Sequence, residues 1–192
     1  MFGGKTDALG GTPERGDLIT TIEPTVQAEL ERTLGAYGQD WAPKLAGGIV
    51  MDPTTGEIVA MAARPGFDPN LFNRETNPGV FGNPMVESVF EMGSIIKPLT
   101  VAAGLDAGVI TEATTYNDTG CVTLDTKKFC NFDGRARGVV AIQEILSQSL
   151  NVGAAFVAQK LGPERQREYF LERYKLGEET GIDLPNEGVG KI

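Results

Sequence analysis

The apolar positions near the start of the chain predict a helix followed by a β-hairpin. After Glu23-Pro24-Thr25, apolar residues recur every four positions, as on one face of a helix that ends near Gly35. Two apolar runs, residues 46–51 and 57–62, flank a turn that contains proline and glycine, which is typical of paired antiparallel strands. Before the helix we expect a short β-prone segment at residues 17–22.

The rest of the chain predicts a mainly helical region that is interrupted by turns. Residues 64–84 carry so many prolines and asparagines that we expect no regular structure there. An apolar helix is expected at residues 94–105, and a turn-rich stretch at residues 114–137. Further helices are predicted at residues 140–148, 152–161 and 163–174, and a loop at residues 177–190.

Composition narrows the possible functions. The 192 residues are 41% hydrophobic and carry a formal net charge of -9, which leaves no basic surface for a nucleic-acid partner. Histidine is absent, so a Ser-His-Asp triad and imidazole metal ligands are excluded, and we expect no metal and no cofactor. No apolar run is long enough for a membrane span, and residues 1–16 lack the layout of a secretory signal.

The two cysteines are spaced for a cross-strand pair. A two-residue turn at Asp125-Thr126 would set Cys121 directly opposite Cys130, which suits a disulfide between neighbouring strands. Two reduced and unrelated thiols fit the same spacing, because spacing does not determine redox state.

Ser94 and Lys97, three residues apart at the start of an expected helix, form a candidate reactive pair. Three residues correspond to about 300° of rotation and about 4.5 Å of rise, so the amine can reach the hydroxyl. A free backbone N–H and the helix dipole would stabilise an oxyanion at Ser94, and a desolvated Lys97 could act as the base. The same spacing also fits a helix cap or buried hydroxyl at Ser94 and a solvated amine at Lys97.

A second candidate pair, Ser149 and Asn151, lies at the junction of two predicted helices. There a hydroxyl and an amide could point into one cleft. Capping of a helix end by either side chain is an equally good interpretation.

Several stretches together resemble the transpeptidase domain of class B penicillin-binding proteins, the D,D-transpeptidases that cross-link peptidoglycan. Ser94-Ile95-Ile96-Lys97 is similar to the family's Ser-x-x-Lys motif, and Ser149-Leu150-Asn151 to its Ser-x-Asn motif. Residues 47–61 resemble the hairpin that opens the domain, and residues 180–187 the segment after its helical subdomain.

The resemblance implies an α/β fold of the penicillin-binding protein and serine β-lactamase type. The fold is expected to be incomplete, with the N-terminal hairpin of the sheet and the helical subdomain. Residues 1–16 would be a linker or the remnant of a preceding region, and residues 17–192 the N-terminal portion of the transpeptidase domain.

The resemblance also implies a role for each candidate residue. Ser94 would be the acylated nucleophile, Lys97 its base, Ser149 a proton relay to the departing D-alanine, and Asn151 a holder of the substrate amide. The implied partners are peptidoglycan stem peptides ending in D-Ala-D-Ala, β-lactams as covalent inhibitors, and a cell-wall synthesis or division complex. The implied setting is the outer face of the cytoplasmic membrane, where a Cys121–Cys130 disulfide is favoured.

The chain departs from the family at the third motif, Lys-Thr-Gly or Lys-Ser-Gly. Its last lysine stands in Gly190-Lys191-Ile192, so this motif is absent from the sequence. Because the third motif supplies substrate-carboxylate binding and an oxyanion donor in the family, we expect a fragment with weak or no activity alone. Two alternatives are a serine β-lactamase of the same fold and a non-catalytic module that binds peptidoglycan or a division partner.

Overall fold

The computed structural model describes residues 19–191, which fall into one unit that ends at Ser88 and a second that begins at Val89. The predicted linker, residues 1–16, lies outside the described residues, as do the first two residues of the β-prone segment. Residues 19–22 form no strand, so that prediction is wrong for the part that is described. They run beside the hairpin instead, where the Thr21 hydroxyl donates to the Ile58 carbonyl at 2.6 Å.

The first unit is built on helix α1 (Pro24–Trp41) and an antiparallel hairpin of strands β1 (Ala46–Met51) and β2 (Ile58–Arg64), as predicted. The Glu23 carboxylate caps α1 by accepting from the Val26 N–H at 2.8 Å. The amide of Gln27 in α1 bonds both backbone groups of Met61 at 2.9 Å, which ties the helix to β2.

The predicted end of α1 at Gly35 is wrong. The helix passes through Gly35 and Gly38 and ends where Ala42 adopts a left-handed conformation, with its N–H bonded to the Gly38 carbonyl at 3.0 Å. A glycine inside a helix costs only about 1 kcal/mol, which the contacts of α1 with the hairpin can offset.

The prediction that residues 64–84 lack regular structure is also wrong. They contain two 3₁₀ turns, Pro69–Arg74 and Pro78–Phe81, and lead into the short helix α2 (Pro84–Glu87). Each begins with an aspartate or asparagine followed by proline, and the side-chain oxygen of the first residue accepts the N–H two positions on, at 2.9 to 3.1 Å. These prolines start helical turns, because a proline suits the first position of a helix.

The second unit contains two antiparallel strand pairs. Strand β3 (Thr115–Asp118) pairs with β6 (Gly138–Ala141), and β4 (Cys121–Leu124) pairs with β5 (Lys127–Cys130). The predicted register of Cys121 opposite Cys130 is confirmed, and in this structure a disulfide joins the two residues. A helix beginning at residue 140 is wrong, because the β-branched residues before Ile142 extend β6.

The helices of the second unit pack around two apolar clusters. A 3₁₀ turn, Gly93–Ile96, continues into α3 (Lys97–Asp106), and α4 (Gln143–Ser147), α5 (Asn151–Leu161) and α6 (Pro163–Arg167) follow. The charged helix predicted at residues 163–174 is α6 and a π-helical turn, Glu168–Arg173, and the predicted loop at residues 177–190 has no helix or strand. The larger cluster, which we call the core, consists of Val101, Ile110, Tyr116, Ile142, Ile145, Leu150, Val152 and Val157. The second consists of Ala103, Leu161, Tyr169 and Phe170.

Candidate active site

Ser94 lies exposed on the 3₁₀ turn that precedes α3. The residue before it, Gly93, has a φ of 59°, a conformation that favours glycine. As the second residue of its turn, Ser94 has a backbone N–H with no partner inside the turn. The hydroxyl is therefore neither buried nor the cap of this turn, and both alternatives for Ser94 are wrong.

Lys97 is the first residue of α3, and its side chain is buried, with 8% of the residue exposed. The alternative of a solvated amine is therefore wrong. Its Nζ donates to the backbone carbonyl of Ser149 at 2.5 Å and lies 3.0 Å from the Ser149 Oγ. Burial lowers the pKa of Lys97 below its usual value, because the charged form loses hydration.

Ser149 occupies the turn between α4 and α5 in a left-handed conformation, with a φ of 54°. The Leu150 N–H bonds the Ile145 carbonyl at 3.0 Å, and both side chains are buried in the same core, which is the pattern of a Schellman helix end. Glycine is the usual residue at this position, and a side chain there costs about 1 kcal/mol. The turn brings both the carbonyl and the hydroxyl of Ser149 to the Lys97 amine.

Asn151 is the first residue of α5, and its Nδ2 donates to the carbonyl of Cys130 at 2.7 Å. It lines an open cleft of about 390 Å³ with residues that include Thr100 and Phe129. Neither α4 nor α5 is capped at its N-terminus by a side chain of its own N-cap residue, and Ser149 and Asn151 bond to partners elsewhere in the unit. The capping interpretation is wrong for both.

The structure thus brings Lys97, Ser149 and Asn151 to one side of the second unit, with Ser94 one turn before Lys97. In residues 19–191 the Lys97 backbone N–H donates to the Ser94 carbonyl, but no hydrogen bond joins the two side chains, because the Lys97 amine is turned to Ser149. The sequence analysis named Cys130 only as a disulfide partner and missed Asn131. These two residues contact the start of α5 through a backbone carbonyl and a side chain. An asparagine directly after the second cysteine was the only signal.

Residues 19–191 contain no cluster of three or more His, Cys, Asp or Glu side chains that could hold a metal ion. Among the same residues, no helix combines the length and the apolar character that crossing a bilayer requires.

Comparison with known proteins gives the family. The sequence model of one protein family, the penicillin-binding protein transpeptidase domain, matches residues 46–192, which is most of the chain. The chain therefore belongs to the penicillin-binding protein transpeptidase family and has its α/β fold.

Individual relatives agree with this assignment. The chain is 36% identical over 163 residues to a probable peptidoglycan D,D-transpeptidase FtsI of Caulobacter vibrioides, covering 85% of the chain and 27% of the relative. It is 30% identical over 176 residues to stage V sporulation protein D of Bacillus subtilis, covering 91% of the chain and 27% of that protein. The chain thus spans about a quarter of the length of these relatives.

A solved structure has a similar fold. Penicillin-binding protein 3 of Mycobacterium tuberculosis, in complex with aztreonam, superposes with a TM-score of 0.81 at 26% identity. The match covers 89% of this chain and 38% of that one.

Proposed function

We propose that the protein acts in serine acyl transfer on peptidoglycan stem peptides, as a D,D-transpeptidase, with Ser94 as the nucleophile. The observation that carries this proposal is the buried Lys97, whose amine contacts both the carbonyl and the hydroxyl of Ser149. Family membership supports an acyltransferase that binds β-lactams, and the names of the relatives do not favour the β-lactamase alternative.

The geometry around Lys97 supports its role as the base. A neutral amine has two N–H groups and one lone pair, and the two oxygens of Ser149 can take the two N–H groups. The lone pair is then free for the proton of the Ser94 hydroxyl. The lowered pKa of Lys97 increases the fraction of the amine that is neutral.

In the acylation step, Ser94 Oγ attacks the carbonyl of the D-Ala-D-Ala bond and Lys97 takes its proton. The proton then passes through the Ser149 hydroxyl, 3.0 Å from Nζ, to the nitrogen of the departing D-alanine. The C–N bond breaks and an ester to Ser94 remains. The amine of a second stem peptide attacks this ester, a new amide bond forms as the bond to Ser94 Oγ breaks, and a proton of the amine returns to the Ser94 Oγ. The Ser94 N–H is one donor for the oxyanion.

The role of Asn151, the cellular setting and the partners are proposed from the resemblance to the transpeptidase family. Asn151 holds a substrate amide, since its Oδ1 accepts no hydrogen bond from residues 19–191, while its Nδ2 donates to the Cys130 carbonyl. The reaction takes place at the outer face of the cytoplasmic membrane, and a cell-wall synthesis or division complex is the setting for the partner proteins. A disulfide between Cys121 and Cys130 is compatible with that oxidising side.

Labelling with a fluorescent penicillin tests the proposal. The family's third motif is not in the sequence, so two proteins are labelled. One is the chain as it stands, and the other, which we call the extended protein, is the chain followed by the family's third-motif segment. We expect the extended protein to be labelled and both Ser94→Ala and Lys97→Met to lose the label. Ser147→Ala is the matched control, because Ser147 is exposed in the same unit and bonds only within α4. Labelling of Ser94→Ala at the wild-type level would refute the nucleophile.

A further inference from the structure

The second unit contains a buried polar pair that the proposed mechanism does not use. Asp118 at the end of β3 is fully buried, and Asn131, just after β5, is 4% exposed. The Asn131 Nδ2 donates to both carboxylate oxygens of Asp118 at 2.9 Å, and the Gly120 N–H donates to the same carboxylate at 2.8 Å. Burial of a carboxylate costs free energy unless hydrogen-bond donors replace its lost hydration, so these donors must stay in position.

Asn131 is held on its other sides as well. Its backbone N–H donates to the Gly120 carbonyl at 2.8 Å, and its Nδ2 also contacts the Arg135 carbonyl at 3.2 Å. With its side-chain nitrogen committed to Asp118, the amide has a single orientation, and Oδ1 must face the opposite way.

On that opposite side lies the start of α5. The Asn131 Oδ1 accepts the Val152 N–H at 3.2 Å, a backbone group that has no acceptor inside the helix because Val152 is in its first turn. The neighbouring carbonyl of Cys130 accepts the side chain of Asn151 at 2.7 Å. Two adjacent residues at the end of β5, Cys130 and Asn131, therefore bind two adjacent residues of α5, Asn151 and Val152.

We propose that Asn131, oriented by the buried Asp118, is a positioning residue that fixes the start of α5 and thereby the direction of the Asn151 amide. The inference rests on the proposed function for its effect on acylation, but its structural half stands without it. The disulfide at Cys130 and the Asp118–Asn131 pair hold the same short segment, so the end of β5 supports the first residues of α5, Asn151 and Val152.

Hydrogen exchange of the chain as it stands tests the structural half. Asn131→Ala is expected to speed exchange of the Val152 amide about tenfold or more, and to shift the NMR signals of the Asn151 side-chain amide, with the Val157 amide unchanged. Asn117→Ala is the matched control, because Asn117 lies exposed beside Asp118 in the same strand. Unchanged Val152 exchange in a folded Asn131→Ala would overturn the proposal.

Acylation of the extended protein by penicillin tests the functional half. We expect Asn131→Ala to lower the acylation rate constant about 10- to 100-fold, with a smaller change in the concentration for half-maximal rate, and Asn117→Ala to stay within about twofold. If Asn131→Ala does not fold, Asp118→Asn replaces it, since it keeps the volume but sets an amide N–H against another donor; the same losses are expected on a smaller scale. A folded variant acylated at the wild-type rate would overturn the positioning role. Failure of the wild type itself to react would refute the proposed function, and the exchange result would still decide the inference.

Discussion

Replacing Gly153 by alanine tests the close packing that holds α5 and its site residues. A Cβ at Gly153 would lie 2.4 Å from the Tyr116 Oη and 2.5 Å from the Ile145 Cγ1. Both distances are about 1 Å or more below ordinary contact, and both neighbours are buried in the core, where they have little room to move.

The magnitude follows from two opposing terms. Overpacking of a core costs about 1 to 3 kcal/mol, and contacts this short with two buried side chains favour the upper end. Alanine returns about 1 kcal/mol through its better helix propensity. We therefore expect Gly153→Ala to lower the free energy of unfolding by about 2 kcal/mol.

The assay is urea unfolding followed by far-UV circular dichroism, with the fluorescence of Trp41 as a separate probe of the first unit. Gly35→Ala and Gly38→Ala are matched controls, because both glycines lie inside α1 and an added Cβ meets nothing within 4 Å. These controls should stabilise by about 0.5 to 1 kcal/mol each. A Gly153→Ala protein as stable as the wild type, or a loss of the same size in the controls, would refute the reasoning.

Three further predictions concern the core and the site. Ser149→Gly should be more stable than Ser149→Ala by about 1 kcal/mol in thermal unfolding. Both variants lack the hydroxyl, and only glycine adopts a φ of 54° without steric cost. Equal stabilities would contradict the helix-end assignment. Tyr116→Phe should change stability at neutral pH by no more than about 1 kcal/mol, since the buried hydroxyl has no hydrogen-bond partner among the described residues. Burial raises the pKa of Tyr116 from 10.0 to about 12, so the folded state keeps a proton that the unfolded state loses. Stability should therefore fall between pH 10 and 12 more steeply in the wild type than in Tyr116→Phe, and parallel curves would contradict this. For the extended protein, the rate of penicillin acylation should rise with pH and then level off. The midpoint of this rise should lie below the usual lysine pKa of 10.5, because burial lowers the pKa of Lys97. A midpoint at or above 10.5 would contradict the role of a buried amine.

Much of the fold could be predicted from local patterns. The hairpin of the first unit and the register of the cysteine pair follow from apolar runs and turn residues, which act over a few positions. Residues 64–84 were misjudged because proline was treated as a breaker, whereas after Asp68, Asn77 and Asn83 it starts a capped turn. Helix α1 ends at Trp41, where Ala42 is left-handed and Pro43 follows, a local stop signal that the prediction of an end at Gly35 passed over.

In the candidate site too, local sequence patterns predict the residues, whereas contacts between distant parts of the chain decide their geometry. Ser94, Lys97, Ser149 and Asn151 could be predicted as candidates because they lie in short motifs. The burial of Lys97 and its contacts with Ser149 depend on residues 52 positions apart along the chain, which no local pattern specifies. The anchoring of Asn151 on Cys130 likewise spans 21 positions.

The central claim is that Ser94 is the residue acylated. The most direct measurement is peptide mapping by mass spectrometry after the extended protein has reacted with benzylpenicillin and been digested with trypsin. The account predicts one adduct, located at Ser94, and none in Ser94→Ala. An adduct at Ser147 or Ser149, or an unmodified Ser94 under conditions that fully label a reference penicillin-binding protein, would contradict it.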